Sequence, residues 1–216
     1  MSWTLVGRGP EGLCVPMAIV WPTGLDVEGY VAAGRELVVP RPACPGCGER
    51  MEFWGWYERD VRVTAVVIHR LAVRRARCAG CGRSHVLLPG FVTWGRLDVV
   101  DVIGPALVAM CGGAGMRRVA EGLDLGHTTV RDWRRRFAQR AGLLAVGFCR
   151  FCVAVGDVAP RLSGRPEAVA VAAVMAAWVA ARRRFGDGVG AVWRLANAVV
   201  GGHLLSPNMD PLWAAV

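Results

Sequence analysis

The chain has 216 residues, a formal net charge of +9 and 26 basic residues, all of which are arginine because no lysine occurs. A chain of this length with 54% hydrophobic residues can bury a real core, which excludes a disordered protein. Its longest apolar runs contain charges or a Gly-Pro pair, or are shorter than the roughly 20 residues of a transmembrane helix, so we expect a cytoplasmic, nucleoid-associated protein with no membrane span.

The first region, residues 1–43, is predicted to be an extension that packs on the domain after it. Its mixed stretch, Leu25 to Leu37, predicts a short helix and a strand. Cys14 stands alone in this region, as Cys111 does further along the chain, and both are typical of core cysteines. No chemistry is assigned to this region.

Residues 44–90 contain the pattern Cys-x-x-Cys-Gly twice, at Cys44 and Cys47 and again at Cys78 and Cys81. Each tight turn brings two thiolates onto one metal ion, and the glycine allows a positive φ that turns amides toward the sulfur atoms. Four thiolates complete a tetrahedral site without an open position, so the pattern predicts a structural Zn²⁺. His85 follows closely but is expected not to be a ligand.

The segments between the two cysteine pairs predict the strands of a small zinc ribbon. Met51–Tyr57 and Val61–Val67 are rich in valine and aromatic residues, and Leu71–Arg77 alternates. The arginines that flank the second cysteine pair either contact phosphates or neutralise the charge of a four-thiolate site. Both interpretations stay open for these residues: Arg74, Arg75, Arg77 and Arg83.

Residues 91–145 are predicted to form a helix-turn-helix DNA-binding domain. Two helices that cross near a right angle need apolar or small side chains at the crossing, and the sequence has them at Val119, Ala120, Leu123, Leu125, Val130 and Trp133. Asp124 stands where a left-handed backbone usually requires glycine, a conformation that aspartate tolerates.

The ends of these helices are also predicted from local residues. Leu97–Cys111 is expected to be a supporting helix, capped by Asp98 and kinked or split at Gly104-Pro105. Thr128 or Thr129 is expected to cap the second helix of the pair.

That second helix carries most of the candidate DNA-binding residues. Its outer face is predicted to meet base edges in a major groove, with an arginine pairing with guanine, through His127, Thr128, Arg131, Asp132 and Arg135. The residues predicted to contact phosphates are Thr129, Arg134, Arg136, Arg117 and Arg118. The alternative is an ordinary helical hairpin with a solvated arginine face.

Residues 146–216 predict two apolar helices, Pro166–Arg184 and Val189–Val200. Such helices beside a DNA-binding unit suggest a homodimer, and the alternative is simple core packing. Cys149 and Cys152 repeat the Cys-x-x-Cys spacing without the glycine, in an apolar stretch, so we expect buried cysteines rather than metal ligands.

The order of these motifs resembles the amino-terminal half of bacterial insertion-sequence transposases, and more closely a family of short, uncharacterised bacterial proteins related to them. The resemblance rests on Cys44–Gly48, Cys78–Pro89 and Arg117–Phe137, and Trp193–Ala198 and Gly201–Leu205 are also similar to the short family. It implies a zinc ribbon and DNA binding, with no established activity. The segment after the helix pair is too short for the three-carboxylate catalytic domain of a transposase, so no enzyme is expected.

The sequence as a whole predicts an α+β protein: a small four-cysteine zinc ribbon, a mainly α-helical helix-turn-helix region, and carboxy-terminal helices. The predicted function is sequence-specific binding of double-stranded DNA, by a transcription regulator or a mobile-element accessory protein. The alternatives are a zinc-ribbon adaptor that binds protein or RNA, and a truncated transposase that lacks its catalytic domain.

Overall fold

A four-stranded sheet forms the first half of the described chain. The computed structural model describes residues 18–206, so Cys14 lies outside the described residues. The strands are β1 (Ala18–Trp21), β2 (Met51–Arg62), β3 (Ile68–Cys78) and β4 (Ser84–Pro89). Their order is β1-β4-β3-β2, with β1 parallel to β4 and the other neighbours antiparallel. Neither β1 nor β4 is among the predicted strands. Strand β1 is held in place by its pairing with β4, which is remote in sequence.

The hairpin of β2 and β3 is longer than predicted. The predicted strand Met51–Tyr57 continues to Arg62, and Leu71–Arg77 lies within β3. The predicted strand Val61–Val67 is wrong beyond Arg62, because residues 63–67 form the turn, in which the amide of Val63 donates a 3.0 Å hydrogen bond to the carbonyl of Val67. Valine favours a strand, but the pairing of Arg62 with Ile68 forces the chain to reverse here.

Helix α1 (Val27–Ala33) packs on the sheet. It begins at Asp26, whose carboxylate accepts a 2.8 Å hydrogen bond from the amide of Gly29. Tyr30 is fully buried and meets the ring of Phe91 edge-on, with centroids 5.6 Å apart. The helix predicted between Leu25 and Leu37 is therefore confirmed, but a 3-10 turn, Gly34–Glu36, stands where a strand is predicted.

Between the sheet and residue 206, the structure describes five helices: α2 (Val100–Cys111), α3 (Met116–Gly122), α4 (His127–Ala154), α5 (Pro166–Phe185) and α6 (Val192–Val199). A 3-10 turn, Gly186–Val189, precedes α6 in place of the start of the predicted helix Val189–Val200. The five helices share one hydrophobic core. Helix α4 runs through this core because its apolar residues recur every three or four positions. They include Val130, Trp133, Phe137, Ala141, Leu144, Phe148 and Cys152. Helix α4 thus crosses the boundary predicted between residues 145 and 146.

The two predicted helix caps are wrong, and one predicted split inside a helix is not found. Helix α2 has Val99 at its N-cap, and Asp98 instead accepts a 2.6 Å hydrogen bond from Nε of Arg62. Gly104-Pro105 does not split α2, which continues to Cys111. Helix α4 begins after Gly126 without a side-chain cap, so Thr128 and Thr129 lie within its first turn.

Helix α6 joins the sheet to the other helices through Asn197. This side chain is fully buried, and its Nδ2 donates 2.9 Å hydrogen bonds to the carbonyls of Gly90 and Val92. Both carbonyls belong to the segment between β4 and α2, so one amide fixes the point where the sheet passes into the helices.

Arg194 of α6 makes a second connection. Its Nη2 lies 2.7 Å from the carboxylate of Asp101 in α2, and its Nη1 donates a 2.9 Å hydrogen bond to the carbonyl of Leu25. The resemblance gave Trp193–Ala198 no role. In the structure these residues form a clamp between α2, the sheet and the segment before α1.

Helix α4 is long and apolar enough to cross a membrane by length and composition alone. This is weak evidence, because the core helix of a soluble protein passes the same test, and 39% of its most apolar window is buried inside the fold. No other described helix meets these criteria.

Candidate functional site

Four cysteine side chains converge at one end of the sheet. The sulfur atoms of Cys44, Cys47, Cys78 and Cys81 all lie within 4.8 Å of one another. Sγ of Cys44 is 3.6 Å from that of Cys81, and Sγ of Cys47 is 3.3 Å from that of Cys78. The two predicted pairs therefore form one cluster, which is compatible with a metal site.

The two cysteine turns share one backbone pattern. In the first turn the amide of Gly48 donates a 2.8 Å hydrogen bond to the carbonyl of Cys44, and in the second the amide of Gly82 donates a 3.0 Å bond to Cys78. The φ angles of Gly48 and Gly82 are +80° and +70°. These values confirm the predicted positive φ after each second cysteine. Glycine adopts this conformation without strain, which lets the chain turn sharply beneath the sulfur atoms.

The sheet positions both turns at the same end. The first turn leads directly into β2, the second connects β3 to β4, and Met51 at the start of β2 is paired with Cys78 at the end of β3. A small apolar core lies behind the sulfur atoms and includes Val39, Ala76 and Leu87. Strand pairing therefore brings together two turns that are far apart in sequence.

The thiols of the cluster differ in acidity. Burial raises the pKa of the Cys44 thiol to about 12. Burial also opposes ionisation of Cys78, but the amide of Cys81, which lies 3.4 Å from its sulfur, and the thiols of Cys47 and Cys81 lower its pKa to about 7. One sulfur is therefore readily ionised near neutral pH, and the others would lose their protons when a cation binds.

The remaining cysteines and His85 lie outside this cluster. His85 is buried in β4 and is not part of the four-residue group. Cys152 is buried in the helical core, and Cys149 packs against that core one helical turn earlier. Cys111 ends α2 and is half-buried. Cys152 is buried as predicted, whereas Cys149 and Cys111, which were also predicted to be buried, are half-buried.

Two of the arginines near the second cysteine pair stack on aromatic rings. The guanidinium of Arg74 lies between the rings of Phe53 and Trp56, 4.5 and 4.3 Å from their centroids. Arg75 lies 4.2 Å from the ring centroid of Trp54. Such contacts hold an arginine side chain flat against the sheet, and neither predicted role anticipates them.

The other two arginines of this group differ from each other. Nε of Arg77 donates a 3.2 Å hydrogen bond to the carbonyl of Gly82, so this side chain supports the second cysteine turn. Arg83 is exposed beside the same turn. The stacking could not be found from the sequence, because it depends on the register between β2 and β3.

Helices α3 and α4 are joined by a short turn, Leu123 to Gly126. Asp124 in this turn has φ +52°, the only positive value at a residue other than glycine in the part of the chain that the structure describes. The left-handed conformation predicted for this residue is confirmed. Ala120, Val130 and Trp133 are buried, and Val119, Leu123 and Leu125 pack against the same core, as predicted.

The candidate DNA-binding residues differ in exposure. Those on the surface are Arg117, Arg118, Thr128, Arg131, Arg134 and Arg135. His127, Thr129, Asp132 and Arg136 are half-buried. The first three turns of α4 thus bury Val130, Trp133 and Phe137 and present arginines on the opposite side.

Asp132 is bound by three arginines. Its carboxylate lies 2.9 Å from Nη1 of Arg96, and 2.7 Å from nitrogens of both Arg135 and Arg136. Burial opposes its ionisation, but these guanidinium groups lower its pKa to about 2. The carboxylate therefore connects α4 to the segment before α2.

Arg96 and Arg59 make structural contacts beside the candidate DNA-binding helix that no sequence pattern predicts. Arg59 of β2 donates a 2.8 Å hydrogen bond to the carbonyl of Thr93 and a further bond to the carbonyl of Arg96. Through Arg96 and Asp132 the sheet is thereby connected to the start of α4. No local signal marks this chain of contacts, because its members come from three separate segments.

Part of the chain matches a known protein family. A family model described as a domain of unknown function, DUF6431, matches residues 44–112. The matched segment begins at the first ligand candidate, Cys44, contains the whole cysteine cluster, and ends at Gly112, just after α2. The chain has no significant match among curated proteins or solved structures, and nothing in these comparisons links it to transposases. The segment that this family model matches contains both the four-cysteine cluster and α2.

Proposed function

We propose that this protein binds double-stranded DNA sequence-specifically, without catalysing a reaction, as a transcription regulator or a mobile-element accessory protein. In this proposal α3 and α4 form a helix-turn-helix, and a structural Zn²⁺ at the four cysteines stabilises the sheet beside it. We place the protein in the cytoplasm with the nucleoid.

The observation that carries the proposal is the exposed arginine face at the start of α4. Arg131 and Arg135 are one helical turn apart and both are exposed, while Val130 and Trp133 on the other side are buried. A helix held by its apolar side can enter a major groove with its free side, where an arginine pairs with O6 and N7 of guanine.

Three features of the helix pair support its assignment as a helix-turn-helix. The turn contains the left-handed Asp124, and small Ala120 is buried where α3 meets α4. Helix α2 packs on both as a third helix. Arg117 and Arg118 at the start of α3, and Arg134 on α4, are exposed and are assigned to phosphates.

Asp132 receives a different role from the one expected from sequence. Because Arg96, Arg135 and Arg136 surround its carboxylate, we assign it to positioning α4 and these arginine side chains rather than to a base. Arg136 and the half-buried His127 and Thr129 are then placed at the edge of the interface.

Zinc is the metal that we assign to the cysteine cluster. Bonds of about 2.3 Å in a tetrahedron separate sulfur atoms by roughly 3.8 Å, and Sγ of Cys44 and Sγ of Cys81 are 3.6 Å apart. A four-thiolate site leaves no coordination position for water, which supports a structural role. The strand-rich surroundings and the two cysteine turns support the zinc-ribbon interpretation.

The alternatives predict other behaviour. An intact transposase would need an RNase H-like sheet, and the described residues 141–206 contain helices and turns and no strand. A truncated transposase that lacks this domain predicts instead a longer open reading frame in the neighbouring genomic sequence. A zinc-ribbon adaptor for protein or RNA would use the sheet and leave α4 as a scaffold. A homodimer through the carboxy-terminal helices is part of our proposal, and a strict monomer in light scattering at all concentrations would remove it.

The decisive experiment is selection of bound sequences from a random duplex pool with protein of measured zinc content. We expect one enriched motif, and an affinity for it that falls steeply with salt because phosphate contacts release counterions. An adaptor would show weak, salt-sensitive binding without an enriched motif. That result would reject the proposal even if the zinc content is one ion per chain.

A further inference from the structure

Strand β2 carries an exposed tryptophan at a β-bulge. It is the last strand in the order of the sheet, and its register with β3 shifts between Phe53 and Gly55, so Trp54 is an extra residue without a partner in β3. A bulge re-aims the side chain that it carries and is common beside binding sites. Trp54 is 51% exposed. The bulge therefore places a large flat ring in solvent on the outer strand of the sheet.

An arginine and an open position lie beside this ring. The guanidinium of Arg75 is 4.2 Å from the ring centroid of Trp54, so one part of the ring is held in place. Gly55 is paired with Arg75, and a Cβ atom at Gly55 would meet nothing within 4 Å. The glycine thus leaves room beside the ring for a second planar group.

Positive charge continues from the ring toward the second cysteine turn. Arg75 and Arg77 are two residues apart on β3 and share one face of the sheet, and Arg83 is exposed directly before β4. Among residues 18–206, no carboxylate forms an ion pair with any of these three arginines. In β2, Glu52 and Asp60 are bound to other arginines instead. The surface beside the ring therefore has an excess of positive charge.

We propose that this surface binds single-stranded DNA, with an unpaired base stacked on Trp54 and phosphates at Arg75, Arg77 and Arg83. Every base has a planar π-face that stacks on an aromatic ring, and guanidinium groups bind the phosphates that link the bases. Duplex DNA fits this surface less well, because its bases are already stacked on one another inside the helix.

The choice of DNA over RNA rests on the proposed function of α4. The indole and guanidinium groups of this surface only donate hydrogen bonds, so they have no acceptor for the hydrogen of a 2′-hydroxyl. A protein that holds duplex DNA at α4 meets unpaired DNA wherever that duplex opens. The sheet would then hold a single strand while α4 holds the duplex.

The test measures binding of the full-length protein, purified with zinc, to a fluorescently labelled single strand of about 12 deoxyuridines by anisotropy. Trp54→Ala removes the ring, and Trp54→Phe keeps an aromatic face at the same position. Trp178→Ala is the matched control, because Trp178 also lies beside an arginine, with the guanidinium of Arg182 5.0 Å from its ring centroid, but belongs to α5.

We expect Trp54→Ala to weaken binding of this strand about 5- to 140-fold, which is the loss of one stacked base at about 1–3 kcal/mol. Trp54→Phe should keep most of the affinity, and Trp178→Ala should bind as the wild type does. Arg83→Gln should reduce the slope of log affinity against log salt by about 0.7. Arg184→Gln, which changes an exposed arginine at the end of α5, should leave this slope unchanged.

Equal losses of affinity in Trp54→Ala and Trp178→Ala would overturn the proposal, as would a wild-type protein that does not bind the strand. Tighter binding of an oligouridine of the same length would also overturn it, because RNA would then be the ligand. Arg131→Ala should leave binding of the single strand unchanged, and Trp54→Ala should leave discrimination between duplexes unchanged. A failure of this proposal is thereby distinguishable from a failure of the function proposed for α4.

Discussion

The indole ring of Trp193 in α6 lies so close to Gly104 of α2 that a Cβ atom at residue 104 would be 2.0 Å from Cγ of the ring. No side chain fits there without moving α6. The glycine that sequence analysis interprets as a helix breaker is thus the place where two helices touch. Because α6 also carries Arg194 and Asn197, this contact supports the whole clamp between sheet and helices.

Gly104→Ala should therefore destabilise the protein although alanine is the better helix former. We expect a loss of about 1–3 kcal/mol in the free energy of unfolding, typical of an overpacked core, measured by urea denaturation. Gly142→Ala in α4 is the matched control, since a Cβ there meets nothing within 4 Å. This control should gain about 0.5–1 kcal/mol from helix propensity. A stabilised Gly104→Ala variant would contradict the close packing of α6.

Removing the negative charge of Asp132 should weaken the connection between α4 and the segment before α2. Asp132→Asn leaves Arg96 and Arg136 without their anion, and we expect a loss of about 1–2 kcal/mol at neutral pH. Asp60→Asn breaks an exposed pair with Arg70, whose side chains are 45% and 66% exposed, and should destabilise the fold less than Asp132→Asn does, because solvent screens this pair.

The effect of Asp132 should also depend on pH. The surrounding arginines lower its pKa in the folded protein from 3.8 to about 2, so the carboxylate stabilises the fold at pH values above its unfolded pKa. This contribution is lost as the pH falls from about 4 toward about 2. The difference in unfolding free energy between wild type and Asp132→Asn should be constant above roughly pH 5 to 6. It should shrink as the pH falls further. A difference that grows in acid would exclude this ion-pair network.

Stripping the metal should unfold the sheet. A structural zinc contributes about 10–16 kcal/mol of apparent binding free energy in small domains, and the core behind the cysteines is small. Chelation should abolish cooperative unfolding of the sheet, and Cys47→Ser should lower the zinc content below one ion per chain. Cys111→Ser, outside the cluster, should keep its zinc. Protein that stays fully folded after chelation would show that strand pairing alone holds the sheet.

Arg131 and Arg134 should differ in what they contribute to DNA binding. Arg131→Ala should reduce discrimination between the selected motif and random duplex by about 1–3 kcal/mol. Arg134 lines the same pocket as Cys111 and Glu167, and our proposal assigns it to phosphates. Arg134→Ala should therefore weaken binding to both duplexes about equally and reduce the salt dependence. Equal effects of the two variants on both duplexes would refute the assignment of Arg131 to a base.

The features that sequence analysis predicts correctly are those set by neighbours in the chain. Local geometry sets each of these features: the spacing within each cysteine pair, the positive φ of Gly48 and Gly82, the left-handed Asp124, and the apolar positions of α3 and α4. Each depends on residues within one or two turns, where sterics and helical periodicity act directly. Two of the wrong predictions have different causes. Asp98 accepts a hydrogen bond from Arg62, which is remote in sequence, instead of capping α2, whereas the strand predicted through Val67 gives way to a local turn closed by the pairing of Arg62 with Ile68.

The contacts that organise the molecule join segments remote in sequence. Asn197 reaches Gly90 and Val92, Arg194 reaches Asp101, and Asp132 reaches Arg96. An asparagine, an arginine or an aspartate can bond to water equally well, so only the folded arrangement selects its partner. Chain-local patterns thus specify the cysteine turns and the helix pair, and packing of remote segments specifies how the two are held together.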